Sequence, residues 1–216
     1  MMKTVIFDMD GVLVDSEYTY LESKTEILKE AGYDKDISYQ YQFMGTTGEY
    51  MWSEMKRDLD LPESVNYYID LMDFKRHEMI RRDGVRAVEG SIKFVRQLVD
   101  EGFRLAVASS STKDEIIQNM QSLGIDDCFE ILLSSEEVAN SKPEPDVFLR
   151  VAELMGVSPT ECVVIEDTRN GTLSASRAGT YCIGFANPDY PSQDLSAADE
   201  IVTSFRDIDI ESLKNK

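Results

Sequence analysis

The sequence predicts an α/β protein: a parallel sheet covered by helices on both faces, with an all-helical insertion after its first strand. Three observations predict this class. Short apolar runs alternate with amphipathic segments from residue 85 onward, as in consecutive βαβ units. Residues 16–82 show only helical patterns. Most of the helical segments are followed by a glycine, the usual left-handed stop of a helix.

The strands are predicted from apolar runs that lack a polar face. The first run covers residues 4–9, and the others cover residues 105–108, 131–133, 163–165, 181–185 and 201–202. Strands that are buried on both faces of a parallel sheet carry runs of this kind. We therefore expect a Rossmann-like core.

The helices are predicted where apolar residues recur at helical spacing. In the core they cover residues 91–101, 113–123, 146–155 and 173–178, and glycine follows each of them. In the insertion they cover residues 16–31, 49–59 and 63–82. Residues 187–199, which contain two prolines, are predicted to form a loop. The predicted domains are a core of residues 1–14 and 83–216 and an insertion of residues 15–82.

The composition excludes several classes of partner. The chain has 22 Lys and Arg against 41 Asp and Glu, a formal net charge of −19. Binders of nucleic acid or anionic membranes need clustered cations, so neither partner is expected. No apolar run approaches the length of a membrane span, and no signal peptide is recognisable. Three cysteines without CxxC spacing indicate buried thiols in a reducing compartment. We expect a cytoplasmic protein, and a monomer rather than an oligomer.

Two carboxylates stand one residue apart where the first strand ends. Asp8 and Asp10 are followed by Gly11, which relieves crowding of the backbone. Close, buried carboxylates repel each other, and one takes up a proton unless a cation neutralises them. The pair indicates a site for a hard ion such as Mg²⁺, or a nucleophile beside an acid. A surface turn rich in Asp and Gly explains the same residues equally well.

Hydroxyl and ammonium groups follow the apolar runs that are predicted to form later strands. Ser109 and Ser110 precede a helix that Thr112 can cap, a position from which a hydroxyl can donate to a phosphate oxygen. Lys142 is followed by two prolines that stiffen the chain, so its charge can be held beside an anion. Taken alone, helix capping explains the serines better, and a polar helix-start loop explains Lys142 equally well.

Glu166 and Asp167 follow the run at residues 163–165 and can complete a metal shell begun at Asp8. In isolation, a turn with a capping Asp is the better explanation. However, all four motifs lie at or just beyond the carboxyl end of a predicted parallel strand. Open α/β sheets bind their ligands there, so the conjunction favours a catalytic site.

The segments FDMDGVLVDSE and VVIED resemble the haloacid dehalogenase-like superfamily, in the subgroup of β-phosphoglucomutase and small sugar phosphatases. The resemblance covers essentially the whole chain and implies a Mg²⁺-dependent enzyme acting on a small phosphorylated molecule. By resemblance, Asp8 is the nucleophile that attacks phosphorus. Asp10 is the acid that protonates the leaving oxygen, and then the base that activates water.

The resemblance also implies the binding residues. Ser109, with Ser110 beside it, and Lys142 hold the transferring phosphoryl group. The implied metal ligands are Asp8, Asp10 through its backbone carbonyl, Asp167, and Glu166 as a further ligand or a supporting partner. A metal ion and Lys142 are needed because a phosphate dianion repels a carboxylate nucleophile.

In the family the helical insertion is a cap that closes over the core, excludes water and supplies substrate contacts. By that resemblance residues 15–82 are the cap, and Gly45, Thr46 and Thr47 belong to its specificity loop. Tyr20 is a further candidate for a substrate contact. Most other aromatic residues of the insertion are expected to form its own core.

Two positions depart from the mutase pattern. A histidine of β-phosphoglucomutases is replaced here by Tyr20, and an arginine that binds the second phosphate is replaced by Gly48. The sequence therefore favours a phosphatase, with a phosphosugar mutase as the alternative. Lys75 or Arg76 lies near the family's cap lysine, and the sequence does not decide between them. A dehalogenase would lack Asp10. A non-catalytic binding module would leave the intact motifs unexplained.

Overall fold

A computed structural model of the chain describes residues 4–44, 46–191 and 193–214. The described strands are β1 (Thr4–Phe7), β2 (Arg104–Ser109), β3 (Ile131–Ser134), β4 (Cys162–Glu166), β5 (Tyr181–Phe185) and β6 (Glu200–Val202). The described helices are α1 (Glu17–Glu30), α2 (Ser38–Tyr41), α3 (Gly48–Leu59), α4 (Val65–Asp83), α5 (Ser91–Asp100), α6 (Lys113–Leu123), α7 (Asp146–Met155), α8 (Arg169–Ala178) and α9 (Ile210–Leu213).

The strands form one parallel sheet in the order β3-β2-β1-β4-β5-β6. Phe7 of β1 is in register with Val107 of β2 on one side and with Ile165 of β4 on the other. The chain extends the sheet first on one side of β1 and then on the other. The strand order therefore reverses beside β1, and this reversal opens a crevice at the carboxyl ends of the strands.

Alternate residues of β1 belong to two different cores, as the pleat of a strand requires. Val5 and Phe7 pack with residues of α5 and α6, including Phe94. Ile6 packs with residues of α7 and α8, including Phe148. Both faces of the sheet are thus covered by helices, which confirms the predicted Rossmann-like α/β class.

Among the boundaries that differ from the prediction, those of β1 and α8 bear on the site. β1 ends at Phe7, two residues before the end of the predicted strand. α8 begins at Arg169, four residues before the predicted start, because the Thr168 hydroxyl caps it by accepting the Gly171 N–H at 3.0 Å. Glycine lowers helix propensity, which concealed this first turn in the sequence.

The chain divides into two compact units. One contains the chain up to Asp15 and from Val85 onward, and the other contains Ser16–Gly84. The second, helical unit has its own apolar core, in which the rings of Trp52 and Tyr68 stack at 5.1 Å between centroids. Phe43, like Trp52 and Tyr68, is buried in this core, but Tyr50, Tyr67 and Phe74 are exposed, so the expectation for the aromatic residues is met only in part.

The structure also describes the surroundings of the cysteine thiols and the character of the helices. Cys162 and Cys182 are buried, and burial raises the pKa of the Cys162 thiol to about 11, which keeps it protonated and inert. No helix in the described parts of the chain has both the length and the apolar character that a membrane crossing demands.

Candidate active site

The candidate site lies at the edge of the sheet where β1, β2 and β4 end. The backbone N–H of Asp8 donates to the Ile165 carbonyl at 2.9 Å, which ties the residue after β1 to β4. β2 ends at Ser109 and β4 ends at Glu166. Because these strands are parallel neighbours, their carboxyl ends carry Asp8, Ser109 and Glu166 to one edge.

A buried lysine connects these strand ends. The Lys142 ammonium donates to Asp8 Oδ1 at 2.5 Å, to Glu166 Oε1 at 2.9 Å and to the Ala108 carbonyl at 3.0 Å. Only 5% of the Lys142 side chain is exposed, against 9% for Asp8 and 1% for Glu166. The three N–H donors of the ammonium are all used. A cation fixed beside Asp8 can stabilise the charge of a transferring phosphoryl group.

Burial raises the pKa of the Asp8 carboxyl to about 8; the Lys142 ammonium opposes the rise, and the Glu166 and Asp10 carboxylates add to it. For Lys142, burial favours the neutral amine, but Asp8 and Glu166 together raise its pKa above the ordinary value. The lysine therefore keeps its proton, because it faces two carboxylates. A second cation near Asp8 would be needed to hold that side chain firmly as an anion.

Ser111 is a neighbour of the site that the sequence did not single out. Its hydroxyl donates to Asp10 Oδ2 at 2.6 Å. Its N–H donates to Ser109 Oγ at 3.0 Å, and its carbonyl accepts the Ser134 hydroxyl at 2.7 Å. The loop after β2 thus fixes Ser111, which in turn holds one oxygen of Asp10. The available signal was a third serine immediately before Thr112, the cap of α6.

The two predicted phosphate-binding serines differ in their surroundings. Ser109 is 1% exposed, and because its oxygen accepts from Ser111, its O–H proton remains able to donate to an anion. Ser110 is exposed. The structure thus brings Ser109, but not the Ser110 side chain, into the buried part of the edge.

Gly11 admits Asp167 to the loop that carries Asp8 and Asp10. Its φ is +79°, and a Cβ at this position would lie 2.0 Å from Asp167 Oδ2. The Asp167 carboxylate therefore lies directly against the backbone of Gly11. Besides its backbone freedom, Gly11 provides the space for a second carboxylate of the site.

The donor set of this edge fits Mg²⁺. Within the described ranges, no three His, Cys, Asp or Glu side chains are gathered as a complete metal cage. Mg²⁺ does not need such a cage, since it keeps several waters and binds through one or two carboxylates and a substrate phosphate. Asp8, Asp167 and the backbone carbonyl of Asp10 offer the hard oxygen donors that this ion prefers. The space at Gly11 is what lets Asp167 join them.

The geometry does not support the prediction that Glu166 is a metal ligand. Its Oε1 accepts from Lys142, and its Oε2 accepts the N–H of Thr168 at 2.8 Å and the Thr168 hydroxyl at 3.0 Å. Both oxygens are therefore engaged by donors of the protein. A Cβ at Gly171 would lie 1.6 Å from Oε1, so this glycine makes room for the carboxylate. Glu166 is a partner of Lys142.

The candidates in the specificity loop have local partners where they are described. Gly45 lies outside the described residues. The Thr46 hydroxyl donates to the Phe43 carbonyl at 2.7 Å, and Thr47 caps α3 by accepting the Tyr50 N–H at 3.2 Å. These contacts account for both threonines structurally, and their contact with a substrate stays a prediction.

The structure shows the contacts of Tyr20 and of the two cations of α4, Lys75 and Arg76. The guanidinium of Arg76 lies on the face of the Tyr20 ring, with Cζ 3.4 Å from the centroid. Lys75 donates to Glu30 at 2.7 Å and to Glu26 at 3.3 Å. Lys75 is thus paired with two carboxylates, and Arg76 has its own ion pair with Asp73 at 3.5 Å. Whether either of them contacts a substrate stays a prediction.

Known proteins resemble this chain over most of its length. A family model described as haloacid dehalogenase-like hydrolase matches residues 5–185. A phosphorylated carbohydrates phosphatase of Thermotoga maritima is 28% identical, over 82% of this chain and 82% of that protein. A β-phosphoglucomutase of Bacillus subtilis is 28% identical, over 98% of this chain and 94% of that protein.

The fold is also similar to solved structures. The crystal structure of a HAD family hydrolase from Deinococcus radiodurans R1, with bound phosphate and sodium, has a TM-score of 0.83 and 27% sequence identity. The similarity covers 95% of this chain and 93% of that one. It thus extends over both the sheet and the helical unit.

Proposed function

The chain belongs to the haloacid dehalogenase-like hydrolase family, and we propose that it is a phosphatase for a small phosphorylated metabolite, with sugar phosphates as the first candidates. The observation that carries the proposal is the buried contact of Lys142 with Asp8 at 2.5 Å. A carboxylate held against an ammonium at a strand end, with Asp10 beside it, suits nucleophilic attack on a phosphate. The similarity to a phosphatase of phosphorylated carbohydrates supports the substrate class.

In the first step, a carboxylate oxygen of Asp8 forms a bond to phosphorus while the bond to the leaving oxygen breaks. The leaving oxygen takes its proton from Asp10. Ser111 donates to Oδ2 of Asp10, which leaves Oδ1 free of this contact and available to face the leaving oxygen. Lys142 stays protonated throughout and reduces the repulsion between Asp8 and the phosphoryl group.

In the second step, water attacks phosphorus, Asp10 accepts a proton from that water, and the bond between phosphorus and Asp8 breaks. Inorganic phosphate leaves, Asp8 is again a carboxylate, and Asp10 is again protonated. The covalent phosphoaspartate divides one slow displacement into two easier ones.

Asp8, Asp167 and the backbone carbonyl of Asp10 would hold Mg²⁺, which when bound supplies positive charge to the phosphate oxygens. Ser109 and Lys142 bind the phosphoryl group. We further propose that the helical unit acts as a cap and supplies substrate contacts, with Tyr20, Thr46 and Thr47 as the candidates described above.

The test replaces the nucleophile and measures phosphate release from p-nitrophenyl phosphate with Mg²⁺. Asp8→Asn should lower kcat by about a thousandfold or more, because an amide oxygen cannot form the intermediate. Asp114→Asn, at an exposed position in the first turn of α6, is the control and should keep its activity. Activity of Asp8→Asn within about tenfold of the wild type would refute the covalent mechanism.

A phosphosugar mutase is the second candidate, favoured by the similarity to a β-phosphoglucomutase over 98% of this chain. Against it, Gly48 offers no charge to a second phosphate. The discriminating assay supplies β-glucose 1-phosphate with a trace of the bisphosphate. A phosphatase releases inorganic phosphate, whereas rapid formation of glucose 6-phosphate with little free phosphate would establish the mutase instead.

A further inference from the structure

The loop that carries Lys142 is tied to helix α8. The backbone N–H of Glu144 donates to the Ser141 carbonyl at 3.0 Å, which closes a turn around Lys142. The hydroxyl of Ser174, in the middle of α8, donates to the Glu144 carbonyl at 2.6 Å. The turn from which the Lys142 side chain extends is therefore attached to a helix 30 residues further along the chain.

The direction of the Ser174 hydroxyl is unusual for a serine inside a helix. Such a hydroxyl commonly donates to the carbonyl four residues earlier in the same helix, as Thr172 does to Thr168 at 3.0 Å. Ser174 is 0% exposed and donates instead to the carbonyl of another segment. Its hydrogen bond thus joins two elements, and helix α8 does not need it for its own backbone.

Arg177 holds the same turn one residue earlier. Its Nη1 donates to the Pro143 carbonyl at 3.0 Å and to Glu144 Oε1 at 2.8 Å. The Arg177 and Glu144 side chains are 42% and 52% exposed, so their ion pair alone contributes little. The bond to the carbonyl is the one that bears on the backbone next to Lys142.

Helix α8 also positions the second carboxylate that Lys142 contacts. Gly171, in the first turn of α8, leaves the space that the Glu166 carboxylate occupies. Gly171, Ser174 and Arg177 are spaced three residues apart, so consecutive members are neighbours on the surface of the helix. One side of α8 therefore fixes both Glu166 and the turn that carries Lys142.

We propose that Ser174 and Arg177 are positioning residues, which hold the turn so that the Lys142 ammonium meets Asp8. A lysine side chain is long and flexible, so the place of its ammonium depends on where its backbone is fixed. The contact of that ammonium with Asp8 is 2.5 Å, a distance that a small displacement of the turn would lengthen. Neither residue is catalytic, because each acts through the backbone of the turn.

The positioning role deepens the proposed function and rests on it, because the place of the ammonium affects turnover only if Asp8 attacks the phosphoryl group. A misplacement of about 1 Å far from the chemistry can lower a rate by about a hundredfold. The two residues should therefore affect kcat, although neither is placed at the strand ends that form the site.

The first test compares two serines of α8 by the hydrolysis of p-nitrophenyl phosphate. Ser174→Ala should lower kcat about 10- to 100-fold, because the Glu144 carbonyl loses its donor. Ser176→Ala makes the same substitution at an exposed position of the same helix and should keep kcat within about twofold. Equal kcat values for the two variants would overturn the proposal.

The second test uses a conservative variant of the arginine. Arg177→Met should lower kcat about 3- to 10-fold, less than Ser174→Ala because Arg177 is half-exposed. Arg177→Lys keeps a charged donor for the turn and should return kcat to within about threefold of the wild type. Arg150→Met removes an arginine of similar exposure, 45%, from α7 and is the control without effect. A kcat of Arg177→Lys as low as that of Arg177→Met would contradict the role of its donors.

An NMR measurement separates a displaced ammonium from a general structural defect. In protein labelled at lysine Cε, the signal absent from Lys142→Arg is that of Lys142. Its ammonium lies 5.0 Å from the centroid of the Phe148 ring, and the magnetic field of a ring varies steeply with distance. The Lys142 signal should therefore shift in Ser174→Ala and in Arg177→Met, but not in Ser176→Ala.

A loss of kcat with an unshifted Lys142 signal would overturn the proposal, because the loss would then arise elsewhere in the protein. Failure of the proposed function is a different result. The wild type would then release no phosphate from p-nitrophenyl phosphate, whereas the Lys142 signal would still report whether Ser174 and Arg177 set the place of the ammonium.

Discussion

Replacing Gly171 by alanine tests whether the position of Glu166 controls the nucleophile. The added Cβ would lie 1.6 Å from Oε1, 1.7 Å from Cδ and 2.2 Å from Oε2 of Glu166. An ordinary contact begins at 3.4 Å, so Oε1 must retreat by the difference between 3.4 and 1.6 Å, about 1.8 Å. That movement breaks its contact with Lys142, now 2.9 Å.

The expected magnitudes follow from this displacement. Overpacking costs about 1–3 kcal/mol, and separating a buried ion pair costs about 3–5 kcal/mol when one charge is left alone. Lys142 keeps Asp8, and alanine gains about 0.5–1 kcal/mol over glycine in a helix, so we expect a net loss of about 2–4 kcal/mol of unfolding free energy. A misplacement of about 1 Å can cost a hundredfold in rate, so kcat should fall about a hundredfold.

The assay combines urea unfolding with the kinetics of p-nitrophenyl phosphate hydrolysis. Asn170→Ala, at the exposed position before Gly171, controls for helix propensity and should be neutral or stabilising. Glu166→Asp shortens the side chain by one methylene, so the cost of Gly171→Ala should be smaller in that background. If Gly171→Ala and Asn170→Ala have the same unfolding free energy and the same kcat, the space at Gly171 does not set the position of the Glu166 carboxylate, and the reasoning is refuted.

Three further outcomes are expected. Ser111→Ala should lower kcat about 10- to 100-fold with little change in KM, because Asp10 loses the donor that orients it. Ser122→Ala on α6 is the control and should leave kcat unchanged. If both variants have the same kcat, Ser111 does not orient Asp10. EDTA should stop hydrolysis and Mg²⁺ should restore it, and Mg²⁺ should raise the Tm of the wild type but not of Asp167→Asn; hydrolysis that is insensitive to EDTA would contradict the metal site. Lys24→Met should stabilise the protein at pH 7 by on the order of 3 kcal/mol, because burial lowers the pKa of Lys24 from 10.5 to about 8. The folded state binds fewer protons than the unfolded state between these pH values. The destabilisation by the Lys24 charge is therefore full below pH 8 and fades as the pH approaches 10.5. If the gain in unfolding free energy of Lys24→Met, measured by urea unfolding, does not change over this range, the charge is not its cause.

The sheet and the main contacts of the site were predictable because they follow from short-range rules. Apolar runs gave the strands, and parallel strands place their carboxyl ends at one edge. From that alone, Asp8, Lys142 and Asp167 were expected to lie near each other. The contact of Lys142 with Asp8 joins residues 134 positions apart. Their common site was expected because both motifs lie at or beyond the ends of predicted strands and match the family pattern.

Other features depend on atomic fit, which local patterns do not encode. Ser111 reaches Asp10 across 101 residues of chain, and only the exact course of the loop after β2 selects it rather than Ser110. The resemblance left Glu166 as either a further metal ligand or a supporting partner, and the sequence did not decide between them. In the structure Thr168, the cap of α8, donates to Oε2 of Glu166, and Lys142 donates to Oε1.

Lys24 shows how a periodic pattern can conceal a buried charge. It lies three positions after Leu21 and four before Leu28, both buried, so it belongs to the apolar face of α1. A lysine on such a face is normally accommodated by extending its ammonium to water or to a carboxylate. Lys142, whose side chain is 5% exposed, has two carboxylates, and its charge is stabilised by the fold itself. Lys24 has none within close reach among the described residues, so its charge lowers the stability of the folded state. The same type of side chain is thus stabilised in one place and destabilised in the other, and the difference lies in the carboxylates that the ammonium can reach.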